Sequence, residues 1–151
     1  MMELCRGRRD RWRDHGQRHR GGHRRIGELH PGLTWAIEEA KLRGARVRAV
    51  LTWSYMGQSD GVLGVGTTEP DARQALQAII DSCAGDDAGI VGAVTVNDLP
   101  VDGLLEEART ASMVVVGSRG RGGIKGLLLG STSRAVVERS PVPVVVIPLH
   151  G

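Results

Sequence analysis

The chain has 151 residues, 40% of them apolar, with no phenylalanine, one tyrosine and a formal net charge of +3; this suits one core, built from Val, Leu, Ile and Ala, and not two. Its longest apolar runs, Met113–Val116 and Val142–Ile147, are far too short to cross a bilayer, and the start has no apolar stretch of the signal-peptide kind. The two cysteines, Cys5 and Cys83, stand far apart with no metal-ligand spacing, which argues for a reduced, cytoplasmic setting.

Residues 1–31 stand apart from everything that follows. They hold nine Arg and four His against four acids (Glu3, Asp10, Asp14, Glu28), a charge of +5, so residues 32–151 carry −2. Leu4, Ile26 and Leu29 are the only aliphatic residues of strand type there. Such a segment cannot bury enough apolar surface to offset the entropy of ordering it. A basic, disordered segment or loosely held helix is expected, with no strand from residues 1–28 pairing in a sheet. Arginine clusters attract nucleic acid through phosphates, but Trp12 alone is available for stacking, so specific nucleic-acid binding is not expected. His15, His19 and His23 are spaced as i, i+4, i+8, yet Gly16, Gly21 and Gly22 interrupt any helix that would align them. No metal site is assigned.

From Leu33 the pattern alternates. Leu33–Arg43 reads as a helix with Leu33, Ile37, Ala40 and Leu42 near one face, stopped by Gly44. Val47–Trp53 is a β-branched strand, and Tyr55–Pro70 is glycine-rich without periodicity, a loop. Asp71–Cys83 is a helix whose stripe is Ala72, Ala75, Leu76, Ile79 and Ile80. Gly89–Val96 is a strand, Val101–Thr110 a helix, Met113–Gly117 a strand, Ser131–Glu138 a helix and Val142–Ile147 the last strand. Strict alternation predicts a parallel sheet with helices on both faces, with binding at the carboxyl ends of the strands.

The stretch Met113–Ser133 carries the chemistry. A strand ends at Gly117, a loop with Gly120, Gly122, Gly123 and Gly126 follows, and Gly130-Ser131-Thr132-Ser133 opens a helix. Glycine lets backbone N–H groups approach an anion, and the helix start adds unpaired N–H groups and the positive end of the dipole. Arg119, Arg121 and Lys125 add charge. The spacing is neither a P-loop nor GxGxxG, because Lys125 is followed by Gly126 and the glycines run G-x2-G-x9-G-S. Taken locally, a phosphate site and a solvated turn capped by Ser131 stand about level. Catalysis finds no residues: Glu38–Glu39 and Glu106–Glu107 are adjacent on helices and diverge, and Asp98 is a weak candidate for a metal-holding carboxylate. An enzyme is not expected.

Gly117-x2-Gly120-x9-Gly130-Ser131, a short helix and then PVPVVVIP (Pro141–Pro148), together with LTWAIEEAKLRGARVRAVLTW (Leu33–Trp53), resemble the universal stress protein family. The resemblance implies a flavodoxin-like α/β domain of the adenine nucleotide alpha hydrolase-like type over residues 32–151. It also implies a regulatory role in stress response and ATP, with Mg2+ as its counter-ion. On the matching positions, phosphate contacts fall to Gly117, Gly120, Gly130, Ser131 and Thr132, with Ser118, Arg119 and Ser133 adjoining. Base and ribose contacts fall to Thr52 and Trp53. Family members commonly dimerise through the last strand, which implies a homodimer through Val142–Ile147. The departure is at the start. Where the family has an apolar first strand ending in an Asp-Gly-Ser type turn, this chain has an Arg/His/Gly-rich run. That run has the composition of a GC-rich coding region read out of frame, with the family pattern resuming near Leu33. A first strand absent or degenerate would weaken the nucleotide site, since the acidic residue expected beside the adenosine goes with it. The alternative function is a dimeric interaction module of the same fold that binds no nucleotide.

Overall fold

Helices and strands alternate from Pro31 onward, and the computed structural model describes residues 2–5, 30–54, 68–118 and 129–148. Pro31 stands at the start of α1 (Pro31–Arg43), where its fixed φ suits a helix and its missing N–H costs nothing. Gly44 ends α1 in the left-handed region at φ 60°, and the Ala45 N–H returns to the Ala40 carbonyl at 2.8 Å. β2 (Arg46–Trp53) follows, then α2 (Glu69–Ala84) behind a capping box in which Thr68 and Asp71 satisfy each other's main-chain N–H groups. A 3-10 turn over Gly85–Ile90 leads into β3 (Val91–Asn97). Then come α3 (Pro100–Ala108), β4 (Met113–Gly117), α4 (Ser131–Arg139) and β5 (Val144–Ile147).

Element boundaries moved by a few residues, each for a local reason. Pro70 lies within the first turn of α2, not in the preceding loop, because proline is tolerated there. The last strand starts at Val144 and not Val142, because Pro143 has no N–H to give; its carbonyl instead accepts the Val114 N–H at 2.9 Å. Leu42 is 84% exposed, whereas Leu33, Ala36, Ile37 and Ala40 are buried. At nine positions from Leu33, Leu42 falls on the opposite side of a helix that turns about 100° per residue. Residues 55–67 of the expected loop lie outside the described residues.

The sheet runs β3-β2-β1-β4-β5, with β2–β3 and β4–β5 parallel. β1 is Met2–Cys5, which overturns the expectation that no strand from residues 1–28 pairs in the sheet. It runs antiparallel to both neighbours, Met2 opposite Ala49 and Val115, Leu4 opposite Val47 and Met113. The physical reason is the position itself. Between β2 and β4 lies a channel one strand wide, edged by buried N–H and C=O groups, and leaving such groups unpaired costs about 1–3 kcal/mol each. A short run that alternates Met2 and Leu4 with Glu3 is enough to pair there. Residues 6–29, with Asp10, Trp12, Asp14 and the three spaced histidines, lie outside the described residues.

Two apolar layers result. One face packs Leu33, Ile37, Val47, Leu76, Ile80, Met113 and Val115 beneath α1 and α2. The other packs Val50, Leu104, Val114, Val116 and Val136 beneath α3 and α4. Coverage on both faces explains why β4 reads as an unbroken apolar run without alternation. This is the α/β arrangement that the alternation predicts and the flavodoxin-like type that the resemblance implies, except that the central β1 runs antiparallel to its neighbours.

Candidate functional site

Strand order reverses between β1 and β4, and a ligand crevice belongs at the carboxyl side of that reversal. The ladders show what stands there. The Val114 and Ser118 N–H groups bond toward β5, to Pro143 and Ile147, so by alternation the main chain of Gly117 faces the sheet centre. On β2 the Trp53 carbonyl accepts the Asp98 N–H at 3.1 Å, on the β3 side, so the Thr52 main chain faces the centre from the other flank. β1 covers neither position, since its register ends with Met2 opposite Ala49 and Val115. Thr52 and Gly117 therefore flank a gap of about 10 Å, two strand spacings. No described residue pairs with the Thr52 main chain or the Gly117 N–H on that side.

Beside the gap, β4 and α4 are clamped together. The Gly130 N–H donates to the Ser118 carbonyl at 2.8 Å, and the Ser133 hydroxyl donates to the Gly117 carbonyl at 2.7 Å. Gly130 sits at the N-cap in extended conformation, φ −69° and ψ 162°, with no side chain to cap the helix. The first intrahelical bond is Arg134 N–H to the Gly130 carbonyl at 2.9 Å. The N–H groups of Ser131, Thr132 and Ser133 thus have no partner within the helix and stand at its positive end. Ser131 is exposed, Thr132 half-buried, and Ser118 and Ser133 are buried.

The expected site residues divide accordingly. Gly117, Ser118, Gly130, Ser131, Thr132 and Ser133 come together. The Ser133 hydroxyl is committed as a tie between helix and strand, so its part is to hold the N-terminus of α4 in place. Arg119 and Gly120 lie outside the described residues. Thr52 and Trp53 point to opposite faces of the sheet, as neighbours in a strand must. The Thr52 side chain is buried on the α3 side, against Gly103, and its free groups toward the gap are main-chain ones. The Trp53 indole N–H is buried without a hydrogen-bond partner. Asp98, just past the end of β3, accepts the Leu99 N–H at 2.6 Å, and α3 begins without a side-chain cap.

The paired glutamates diverge as expected, but Glu107 is not simply solvated. It meets Arg48 of β2 at 3.3 Å, and that guanidinium also donates to the Glu107 carbonyl at 2.9 Å and to the Thr110 hydroxyl at 2.8 Å. Glu106 instead faces Arg109 in solvent. Gly103, absent from the expected site, is what lets α3 lie against Thr52; its only signal in the sequence is a glycine inside a helical pattern.

Ser133→Ala should cost about 1 kcal/mol, because it strips the half-buried Gly117 carbonyl of its donor. The melting temperature should fall by about 2–4 °C, and Ser133→Thr should restore most of it. An unchanged melting temperature in the alanine variant would mean that the tie carries no load.

The universal stress protein family model matches residues 28–148. A universal stress protein of Mycobacterium tuberculosis is 38% identical over 118 residues, covering 74% of this chain and 37% of the relative. The chain belongs to the universal stress protein family. A Mycolicibacterium smegmatis universal stress protein is 35% identical over 118 residues, covering 74% of this chain and 39% of the relative. This chain therefore spans less than two-fifths of the curated relatives it matches. Among solved structures, a universal stress protein in complex with cAMP superposes with TM-score 0.57 at 23% identity, covering 80% of this chain and 88% of that one. A universal stress protein from Archaeoglobus fulgidus gives TM-score 0.56 at 22% identity, covering 84% and 93%. These likenesses establish the universal stress protein fold. No helix among the described residues is long and apolar enough to cross a membrane.

Proposed function

We propose that this universal stress protein is a regulatory protein that binds ATP or a related adenine nucleotide as a ligand rather than turning it over. The observation that carries the reading is the clamp of Gly117–Ser118 to Gly130–Ser133, which holds an uncapped helix N-terminus beside the gap at the sheet centre. Phosphate oxygens suit the free N–H groups of Ser131 and Thr132 and the Ser131 hydroxyl. The Thr52 main chain offers a donor and an acceptor to the edge of a base across the gap. The structural relative described in complex with cAMP supports a nucleotide at this fold. Mg2+ would enter as the counter-ion of the phosphates. Titration of the purified protein with ATP and with cAMP by calorimetry tests the reading; absence of binding to either removes it.

Self-association is the second part of the reading, and the edge strand favours it. β5 has β4 as its one neighbour, and its four apolar residues are only half-buried. An apolar edge left open invites pairing, and a second copy meeting it about a two-fold axis would cover it. Such an interface is what a dimeric interaction module without nucleotide would also use. Val146→Lys should yield a monomer in sedimentation experiments at micromolar concentration. A parent protein that already sediments as a monomer there would rule the dimer out.

A further inference from the structure

We infer that Thr110 is a phosphorylation site and that Arg48 is the residue that receives the phosphate, independently of the nucleotide reading above. Thr110 stands in the turn that follows α3 and is exposed. Its hydroxyl accepts a hydrogen bond from Arg48 Nη2 at 2.8 Å, so a guanidinium already stands at the oxygen that a kinase would modify. Arg48 reaches this turn from β2, and its side chain is only 17% exposed. The same guanidinium meets the Glu107 carbonyl at 2.9 Å and, at 3.3 Å, the Glu107 carboxylate. Arg109, the residue before Thr110, pairs with Glu106 in solvent, where such pairs open readily.

The reaction is transfer of the γ-phosphoryl group of ATP by a serine/threonine protein kinase. A bond forms from Thr110 Oγ1 to phosphorus as the bond from phosphorus to the leaving ADP oxygen breaks, and the hydroxyl proton passes to the base of the kinase. The product carries a charge of about −1.5 to −2 near neutral pH and three acceptor oxygens. At the carboxyl end of a helix, beside two glutamates, the dipole and like charge repel such a group. Arg48 turns the balance. A guanidinium grips two phosphate oxygens at once, a stronger contact than one carboxylate oxygen at 3.3 Å. The phosphate therefore takes Arg48 from the Glu107 carboxylate and ties the end of α3 to β2 through Thr110. Because Gly103 of α3 lies against Thr52, the modification acts on a helix that borders the gap at the sheet centre.

Treatment of the full chain with ATP and a broad-specificity serine/threonine kinase, followed by peptide mapping in the mass spectrometer, tests the site. A phosphoryl group should appear on Thr110 and be missing from Thr110→Val. Modification of Ser112 in its place, or of no residue in this turn, would overturn the inference. Phosphorus NMR of the modified protein then tests the receiver. The second ionisation of the phosphate, ordinarily at about pH 6, should move to about pH 5 beside Arg48, a tenfold gain in acidity. In Arg48→Gln/Glu107→Gln, which removes both charges of the pair and strands neither, it should return to about 6. Arg48→Lys keeps the charge, loses the fork and should lie between, and it carries the comparison if the double variant does not fold. The same ionisation in the parent and in these variants would strip Arg48 of its role.

Discussion

Gly130→Asp is expected to leave the domain folded and to remove ATP binding altogether. Two effects of the same substitution point in opposite directions, which makes it informative. Gly130 is an N-cap at φ −69°, a conformation that any L residue adopts without strain. Aspartate is among the best N-cap residues and accepts a hydrogen bond from the second or third helical N–H, so helix α4 should gain a few tenths of a kcal/mol over glycine. The same carboxylate occupies the N–H groups that a phosphate would need, and its negative charge stands where the phosphate charge would lie. Loss of affinity should exceed a hundredfold, since a competing cap and charge repulsion each contribute on the order of 1–3 kcal/mol. Calorimetry with ATP and a thermal melt, run on one preparation, separate the two effects. Binding equal to that of the parent would reduce the glycine motif to a turn.

Gly103→Val is expected to be among the most destabilising single substitutions in the described residues. A Cβ at this position would lie 3.0 Å from Thr52 Cγ2, 3.1 Å from Val96 Cγ1 and 3.3 Å from Asp98 Cβ. These neighbours are methyl groups of two short, β-branched side chains on β2 and β3 and a Cβ in the turn after β3, all with little freedom to move aside. Alanine gains about 1 kcal/mol of helix propensity over glycine and loses a similar amount to the close contacts, so Gly103→Ala should be near neutral. Valine adds two methyl groups to a space already filled. About 3 kcal/mol of overpacking, or roughly 6–12 °C in melting temperature for a domain of this size, should follow. If the nucleotide reading holds, Gly103→Val should also weaken ATP binding at temperatures where it remains folded, because α3 would push Thr52 out of register with Gly117. A valine variant melting within a degree or two of the parent would show that α3 can move away freely.

Acidification bears on the capping box at α2. The Thr68 hydroxyl and then the Thr68 main-chain N–H hold the Asp71 carboxyl below its ordinary range. A lowered folded-state value means that the cap contributes fully above the unfolded value near 3.8 and is lost as pH falls through the folded one. The helix start should therefore loosen only in strong acid, well away from neutral pH.

Much of this protein is written locally. The apolar spacing of Ala72, Leu76 and Ile80 makes one stripe of a helix wherever that helix sits, and all three are buried as the period requires. Val-rich β4 reads as a strand covered on both faces because nothing in it alternates. Glycines at 117 and 130 bracket a strand-to-helix turn by their chemistry alone, and the ends of that turn close as expected. These features depend on residues within one or two turns of each other.

Other features depend on partners far along the chain. The composition of residues 1–31 argues against any sheet strand, yet Met2–Cys5 pairs at the centre, because the unpaired edges of β2 and β4 create a demand that no local property of those four residues reveals. That the Thr52 main chain, and not that of Trp53, is left open toward the sheet centre follows from which flank β3 occupies. Gly103 matters only because Thr52 and Val96 arrive beneath it from strands that lie earlier in the chain. Arg134 closes no ion pair among the described residues although Glu138 follows it by four residues on the same helix, where spacing alone would pair them. Periodicity, capping and turn chemistry are short-range and legible; pairing across the sheet and the company a charge keeps are settled only when distant segments meet.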